Sequence, residues 1–170
     1  MSDVENGIRI RHALKPGDLG MIVHLHGVVY AREYGLDTTF EPYVAKPLAE
    51  FVLEGDGRLW VAEKDGSVVG SIAMVDAGPG MGQLRWFLLA PEARGAGLGR
   101  RLLDAALGYA RERGLAHVFL WSFTDLHDAI RLYERAGFRV TQTETGEVWG
   151  AQRTQVRMDL DLQPSRQSRP

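Results

Sequence analysis

Residues 94–101 read Arg-Gly-Ala-Gly-Leu-Gly-Arg-Arg, three glycines spaced two apart among three arginines. Glycines let a backbone turn tightly and aim several N–H groups inward. The apolar periodicity that follows from Leu98 predicts a helix, whose first N–H groups lack intrahelical partners and carry the positive end of its dipole. Arg94, Arg100 and Arg101 add formal charge, in a planar fork suited to phosphate. The chemistry is therefore anion binding, with phosphate the expected ligand. A nucleoside-triphosphate loop needs Gly-Lys-Ser/Thr at its end, whereas Gly99 is followed by Arg100 and Arg101. A dinucleotide fold needs G-x-G-x-x-G and an acid after the next strand; here the spacing is G-x-G-x-G and the next strand ends without one.

The elements that must position this turn follow from periodicity. Residues 8–14 alternate as a strand, and Pro16-Gly17-Asp18 breaks the chain, with Asp18 the expected helix N-cap. Leu19, Ile22, Val23, His26, Val29 and Tyr30 recur at helical spacing to Tyr34, where Gly35 stops the helix. A second helix fits residues 39–53, interrupted at Pro47. Residues 58–64 and 67–76 flank Asp65-Gly66, a hairpin signal. Strand 83–89 leads through Pro91 into the glycine turn and helix 98–113. Strand 116–121, helix 125–136 and strands 138–144 and 154–162 complete the order β-α-α-β-β-β-α-β-α-β-β. This is an α+β pattern: a central mixed, mostly antiparallel sheet flanked by helices.

With 170 residues, one domain over 1–162 is expected, and the polar, proline-bounded residues 163–170 read as a disordered tail. The net charge of −2 argues against a nucleic-acid partner, although Arg accounts for seventeen of the twenty basic residues. No signal peptide or membrane-length apolar run appears, so a cytoplasmic location is expected. No cysteine leaves no disulfide, thiolate metal site or cysteine nucleophile, and the five histidines show no ligand spacing, so no metal is expected.

The R-x-x-G-x-G spacing of Arg94 to Gly99, the preceding apolar strand with Pro91-Glu92, the helix after it, and Ala129-Ile130-Arg131-Leu132-Tyr133-Glu134-Arg135-Ala136-Gly137-Phe138 together resemble the GNAT superfamily of N-acetyltransferases. The element order agrees along residues 8–162. More narrowly, the stretches from Pro16, Arg85 and Phe119 are similar to acetyltransferase domains fused behind MarR-type winged-helix regulators, with no winged-helix half in this sequence.

The resemblance implies a GNAT-like acyl-CoA N-acyltransferase fold, acetyl-CoA as co-substrate, and direct transfer to a primary amine in a ternary complex. It assigns the main chains of Phe87, Leu88 and Leu89 to the pantetheine arm, as an added strand. Arg94, Gly95, Ala96, Gly97, Leu98, Gly99 and Arg100 fall to the pyrophosphate. Tyr133 becomes the acid that protonates the leaving sulfur, or else a packed aromatic. His26, Tyr30, Glu33 and Tyr34 share one helix face and fall on the acceptor side, to hold an ammonium or to pack. No base is legible: Gln83 and Arg85 occupy the strand where some relatives carry a glutamate, which leaves water relayed to Glu33 or His26. Many relatives also have an asparagine where this chain has Leu126, with Ser122, Thr124 or His127 as substitutes. Arg85 reads as a surface strand residue, with an acceptor carboxylate as the alternative. Trp121, Phe123 and Trp149 line a pocket or pack. The acceptor is a small molecule or a peptide amine, a homodimer is compatible, and a catalytically weak acyl-CoA sensor is the rival from another class.

Overall fold

The computed structural model describes residues 4–162, so the expected tail lies outside the described residues. Strands β1 (Val4–Glu5) and β2 (Ile8–Arg11) precede helices α1 (Asp18–Tyr34) and α2 (Phe40–Glu54). Then follow β3 (Gly57–Lys64), β4 (Ser67–Asp76), β5 (Met81–Leu89), a 3-10 turn (Pro91–Ala93) and α3 (Leu98–Glu112). Strand β6 (His117–Phe123), helix α4 (His127–Arg135), and strands β7 (Arg139–Val148) and β8 (Ala151–Asp161) end the order. The described strands form one sheet in the order β1-β2-β3-β4-β5-β6-β8-β7. Every pairing is antiparallel except β5 with β6, where a helical crossover is needed to bring the chain back.

The sheet separates two apolar layers. Leu102, Leu103, Ala106 and Leu107 of α3 pack with Tyr133 and Phe138 on Ile72, Met74, Leu84, Leu120 and Met158. On the opposite face Ile22 and Val29 of α1 and Leu48 and Phe51 of α2 pack on Leu59, Val61, Ala73, Trp86 and Leu88. Strand β3 is therefore buried on both faces, which is why Leu59, Trp60, Val61 and Ala62 form a continuous apolar run. No helix among the described residues is long and apolar enough to cross a membrane.

Two local readings change. Asp18 is not the N-cap of α1: Gly17 holds that place in the left-handed region at φ 94°, and the Asp18 carboxylate turns inward. It accepts both terminal nitrogens of Arg11, at 2.7 and 2.8 Å, and the Lys15 amide at 2.7 Å. A buried charge needs such partners, and the pair ties β2 to the start of α1. Strands β7 and β8 are also longer than the sequence pattern predicts. They meet in a tight hairpin through Trp149 (φ 49°) and Gly150 (φ 88°), because Gly150 supplies the turn and Trp149 buries its ring against the α1–α2 layer.

Candidate active site

The site starts where β5 ends. The Arg94 amide donates to Pro91 O at 3.3 Å, and the Arg101 amide donates to Gly97 O at 3.1 Å as the first full turn of α3. The amides of Leu98, Gly99 and Arg100 lie in the first turn of that helix, where no preceding turn offers a carbonyl. Gly95 (φ 82°) and Gly97 (φ 75°) hold left-handed conformations that an L side chain resists. Gly99 serves differently: a Cβ there would stand 3.2 Å from Leu89 Cδ1 and 3.4 Å from Leu132 Cδ2, so its absence lets α3 sit close on β5 and α4.

The charges at the turn differ from expectation. Arg94 does not present an open guanidinium to it: Nη1 meets Glu33 Oε1 at 2.7 Å, and Nη2 meets Glu33 Oε2 at 3.0 Å and Leu89 O at 3.2 Å. A bidentate carboxylate neutralises it and ties the turn to α1. With its amide also engaged, Arg94 braces the turn. Arg100 is exposed, 3.7 Å from Asp104, and Arg101 lies 3.5 Å from Glu5.

Beside the turn the sheet opens. Parallel pairing of β5 with β6 ends at Leu84 and Leu120, leaving residues 85–89 with an unpaired edge toward β6. On the other edge the register to β4 shifts between Ser71 and Ala73, where Trp86 takes φ 48° in a bulge. The Ser71 hydroxyl donates to Trp86 O at 2.7 Å and holds that bulge. A cavity of about 490 Å³ fills the opening, lined on one side by residues 83–89 and on the other by Trp121, Ser122 and Phe123. Phe87, Leu88, Leu89, Arg94 and Gly95 all border it.

Tyr133 of α4 also faces this cavity and is 6% exposed, between Phe87 and Phe138 with ring centroids 5.9 Å from each. Burial, with Tyr30 adding to it, raises its phenol above the ordinary tyrosine range, so the hydroxyl keeps its proton at neutral pH. All four expected residues of α1 reach the cavity too. His26 is 3% exposed and its Nδ1 lies 2.7 Å from Ile22 O; a carbonyl only accepts, so the proton sits on Nδ1. Burial lowers its pKa to about 4, and the ring is neutral. Tyr30 stacks on it at 5.8 Å. Glu33 is occupied by Arg94, so the α1 face offers no uncompensated carboxylate to an ammonium.

Several residues that the sequence left with two readings stand at the cavity, and Arg153, one it did not single out, reaches them. Arg85 lines the cavity with its guanidinium 4.6 Å from the Trp86 ring centre, instead of lying on an open strand surface. Leu126 packs against the α1–α2 layer at the cavity wall. Ser122 lines the same cavity, and its buried hydroxyl has no hydrogen-bond partner among the described residues. Arg153, 7% exposed, reaches Tyr34 O at 2.8 Å and Asp125 at 3.2 Å, with its guanidinium 5.7 Å from the Phe123 ring centre, and so braces two residues that line the cavity. Trp121, Phe123 and Trp149 all line the cavity. No sequence signal marks the Trp86 bulge that brings Arg85 in.

A glycine turn at a helix start thus stands beside a splayed parallel strand pair, with a buried phenol in the gap. The chain belongs to the acetyltransferase (GNAT) family, whose pattern matches residues 27–138. It is 28% identical over 117 residues to an N-acetyltransferase of Schizosaccharomyces pombe, covering 66% of this chain and 72% of that one. It is 34% identical over 111 residues to N-acetyltransferase family 8 member 2 of Rattus norvegicus, covering 58% and 49%. A mycothiol acetyltransferase of Rhodococcus jostii is 39% identical over 66 residues, 39% of this chain and 22% of that one. The chain thus spans most of the yeast relative and half or less of the other two. In fold it is similar to the ribosomal-protein-alanine N-acetyltransferase of Brucella melitensis, with a TM-score of 0.72 at 24% identity over 90% of this chain and 99% of that one. A proposed acetyltransferase of Salmonella typhimurium, solved with acetyl-CoA, gives a TM-score of 0.70 at 24% identity over 93% and 95%.

Proposed function

We propose that this protein moves an acetyl group from acetyl-CoA to a primary amine by direct attack, as a cytoplasmic enzyme. The observation that carries the reading is one cavity bordered by the open edge of β5, by Arg94 and Gly95 at the head of the glycine turn, and by the buried Tyr133. Acetyl-CoA, when bound, supplies the activated acyl group and a thiol leaving group. The residues fit it: the open edge of Phe87, Leu88 and Leu89 suits an extended amide-bearing arm, and the amides of residues 95–100 suit a pyrophosphate. An N–H at Phe87 or Leu88 polarises the thioester carbonyl in this reading, a contribution of about 3 kcal/mol where such a donor is well placed.

Tyr133 holds the proton that the sulfur needs. The departing thiolate, of ordinary pKa ~8.5, leaves more readily as it takes up a proton; the phenol is in its protonated form at neutral pH, and solvent returns the proton it gives. The amine must be neutral to attack. Glu33 is bound to Arg94 and His26 titrates near pH 4, so neither is placed to hold that proton, which passes to solvent at the cavity mouth. The family match at residues 27–138 bears on the acetyltransferase part alone of the likeness to MarR-fused domains.

Free-thiol release from acetyl-CoA over a panel of amines tests the reaction. Tyr133→Phe is expected to lower kcat about 100-fold while the KM for acetyl-CoA stays within twofold. Near-wild-type turnover in Tyr133→Phe removes its role as acid. The absence of a free base in the cavity favours one rival, an acyl-CoA sensor. Binding of CoA without turnover on any amine selects it.

A further inference from the structure

Two guanidinium groups line the cavity, and they differ in one respect. Arg94 is neutralised by Glu33. Arg85 has no carboxylate partner among the described residues. The other carboxylate at the cavity, Asp128, pairs with Arg131. One net positive charge therefore faces the space on the α1–α2 side of β5.

Its placement is built. In a regular strand Arg85 and Trp86 would point to opposite faces. The left-handed Trp86 interrupts that alternation, and the Arg85 guanidinium rests 4.6 Å from the indole centre. Burial lowers the pKa of this group and the neighbouring Tyr43 opposes the change, yet a guanidinium stays charged at any physiological pH. A partly buried cation without an anion is costly, and a planar fork is best satisfied by a carboxylate bound through two hydrogen bonds. Next to it stands an aromatic wall: Trp149 contacts Phe40 and Tyr43 with centroids 5.0 Å apart in each case.

We propose that Arg85 binds the carboxylate of the acceptor, and that the acceptor is a small molecule of the amino-acid class whose apolar body lies against Tyr43, Phe40 and Trp149. This rests on the acetyl-transfer reading and names its substrate class. An acceptor carrying only an ammonium is repelled by Arg85; one with a carboxylate beside its amine cancels the charge. The same guanidinium favours the neutral amine over the ammonium, the state that attacks.

The experiment compares wild type with Arg85→Gln and Arg85→Lys, each checked for a wild-type circular dichroism spectrum. Acceptors are apolar amino acids and their α-carboxamides, with acetyl-CoA saturating. The wild type is expected to favour the acids at least tenfold in kcat/KM. Arg85→Gln raises the KM of the acids about 30-fold, lowers that of the amides, whose ammonium it no longer repels, and so abolishes the preference, while the KM for acetyl-CoA stays within twofold. Arg85→Lys restores part of it. In parallel, N-acetyl amino acids and their amides are titrated by calorimetry in the presence of CoA. Turnover of amines with no preference for acids, or a preference that survives in Arg85→Gln, overturns the carboxylate site and leaves acetyl transfer standing. Arg85-dependent binding of N-acetyl acids without turnover of any amine keeps the carboxylate site and removes acetyl transfer. No carboxylate dependence in either assay, including turnover confined to peptide amino termini, overturns the proposal.

Discussion

Arg94 stands between the glycine turn and α1. Its position in the R-x-x-G-x-G turn suggests a phosphate ligand, but its fork is closed on Glu33, which raises its own pKa further. The two side chains are 40% and 25% exposed, so the pair contributes only about 0–1 kcal/mol to stability. Its effect is positional: α1, the end of β5 through Leu89 O, and the glycine turn meet at one guanidinium. Glu33→Gln and Arg94→Gln are therefore expected to raise the KM for acetyl-CoA by similar amounts, about fivefold, with the double variant no worse than either. Initial-rate measurements on the four proteins check this. A KM that rises in Arg94→Gln alone would mean that the arginine acts on the co-substrate directly.

At the scale of elements, β5 and the turn after it border the candidate site. Much of this was legible, because the signals are local: Gly35 stops α1, Asp65-Gly66 forms a hairpin at φ 50° and 80°, and the glycines of the turn precede a helix at Leu98. What was not legible depends on partners distant in sequence. The Trp86 bulge exists because β4 offers Ser71 to its carbonyl while α2 offers Phe51 to its ring, at 5.5 Å. Asp18 looks like a cap until Arg11 is known to lie beside it. The hairpin ends of β7 and β8 extend past the patterned residues because Trp149 is not a residue that composition marks as a turn. The part of the turn that sequence does specify is open to test at Gly97, where φ is 75° and a Cβ meets nothing within 4 Å. Any cost of Gly97→Ala is therefore conformational, about 1 kcal/mol. Because the first amides of α3 take their aim from this residue, the variant is expected to lose at least about tenfold in CoA affinity while unfolding only slightly earlier. Thermal unfolding and a CoA titration separate the two effects. Unchanged CoA affinity would place the anion elsewhere.

Across the whole molecule, two histidines with opposite environments shape the stability. His26 sits in the α1–α2 layer, where burial lowers its pKa to about 4. The unfolded chain takes up this proton near pH 6.5 and the folded one only near 4, so folding weakens as pH falls through that interval, by up to about 3 kcal/mol. His117 joins β6 to β8, with Nε2 2.6 Å from Asp159 and Nδ1 2.8 Å from Asp161. Hydrogen bonds that the ring donates to these carboxylates, Asp159 first, raise its pKa above the ordinary value. Its contribution is complete below about pH 6.5 and disappears as pH rises through the folded pKa. Burial pushes the Asp159 carboxyl up, but hydrogen bonds from Arg157, Thr141 and His117 outweigh it and hold it at about 2, so Asp159 stays ionised throughout this range. The unfolding free energy is thus expected to peak near pH 6.5. His26→Phe flattens the acid side down to about pH 4.5, and His117→Gln, which keeps a hydrogen-bonding side chain without a titrating proton, flattens the alkaline side. Urea unfolding at pH 4.5, 6.5 and 8.5 measures both limbs. Parallel alkaline decline in wild type and His117→Gln would remove His117 as its source, and the fastening of β8 to β6 would then rest on the backbone ladder from His117–Asp161 to Phe123–Gln155.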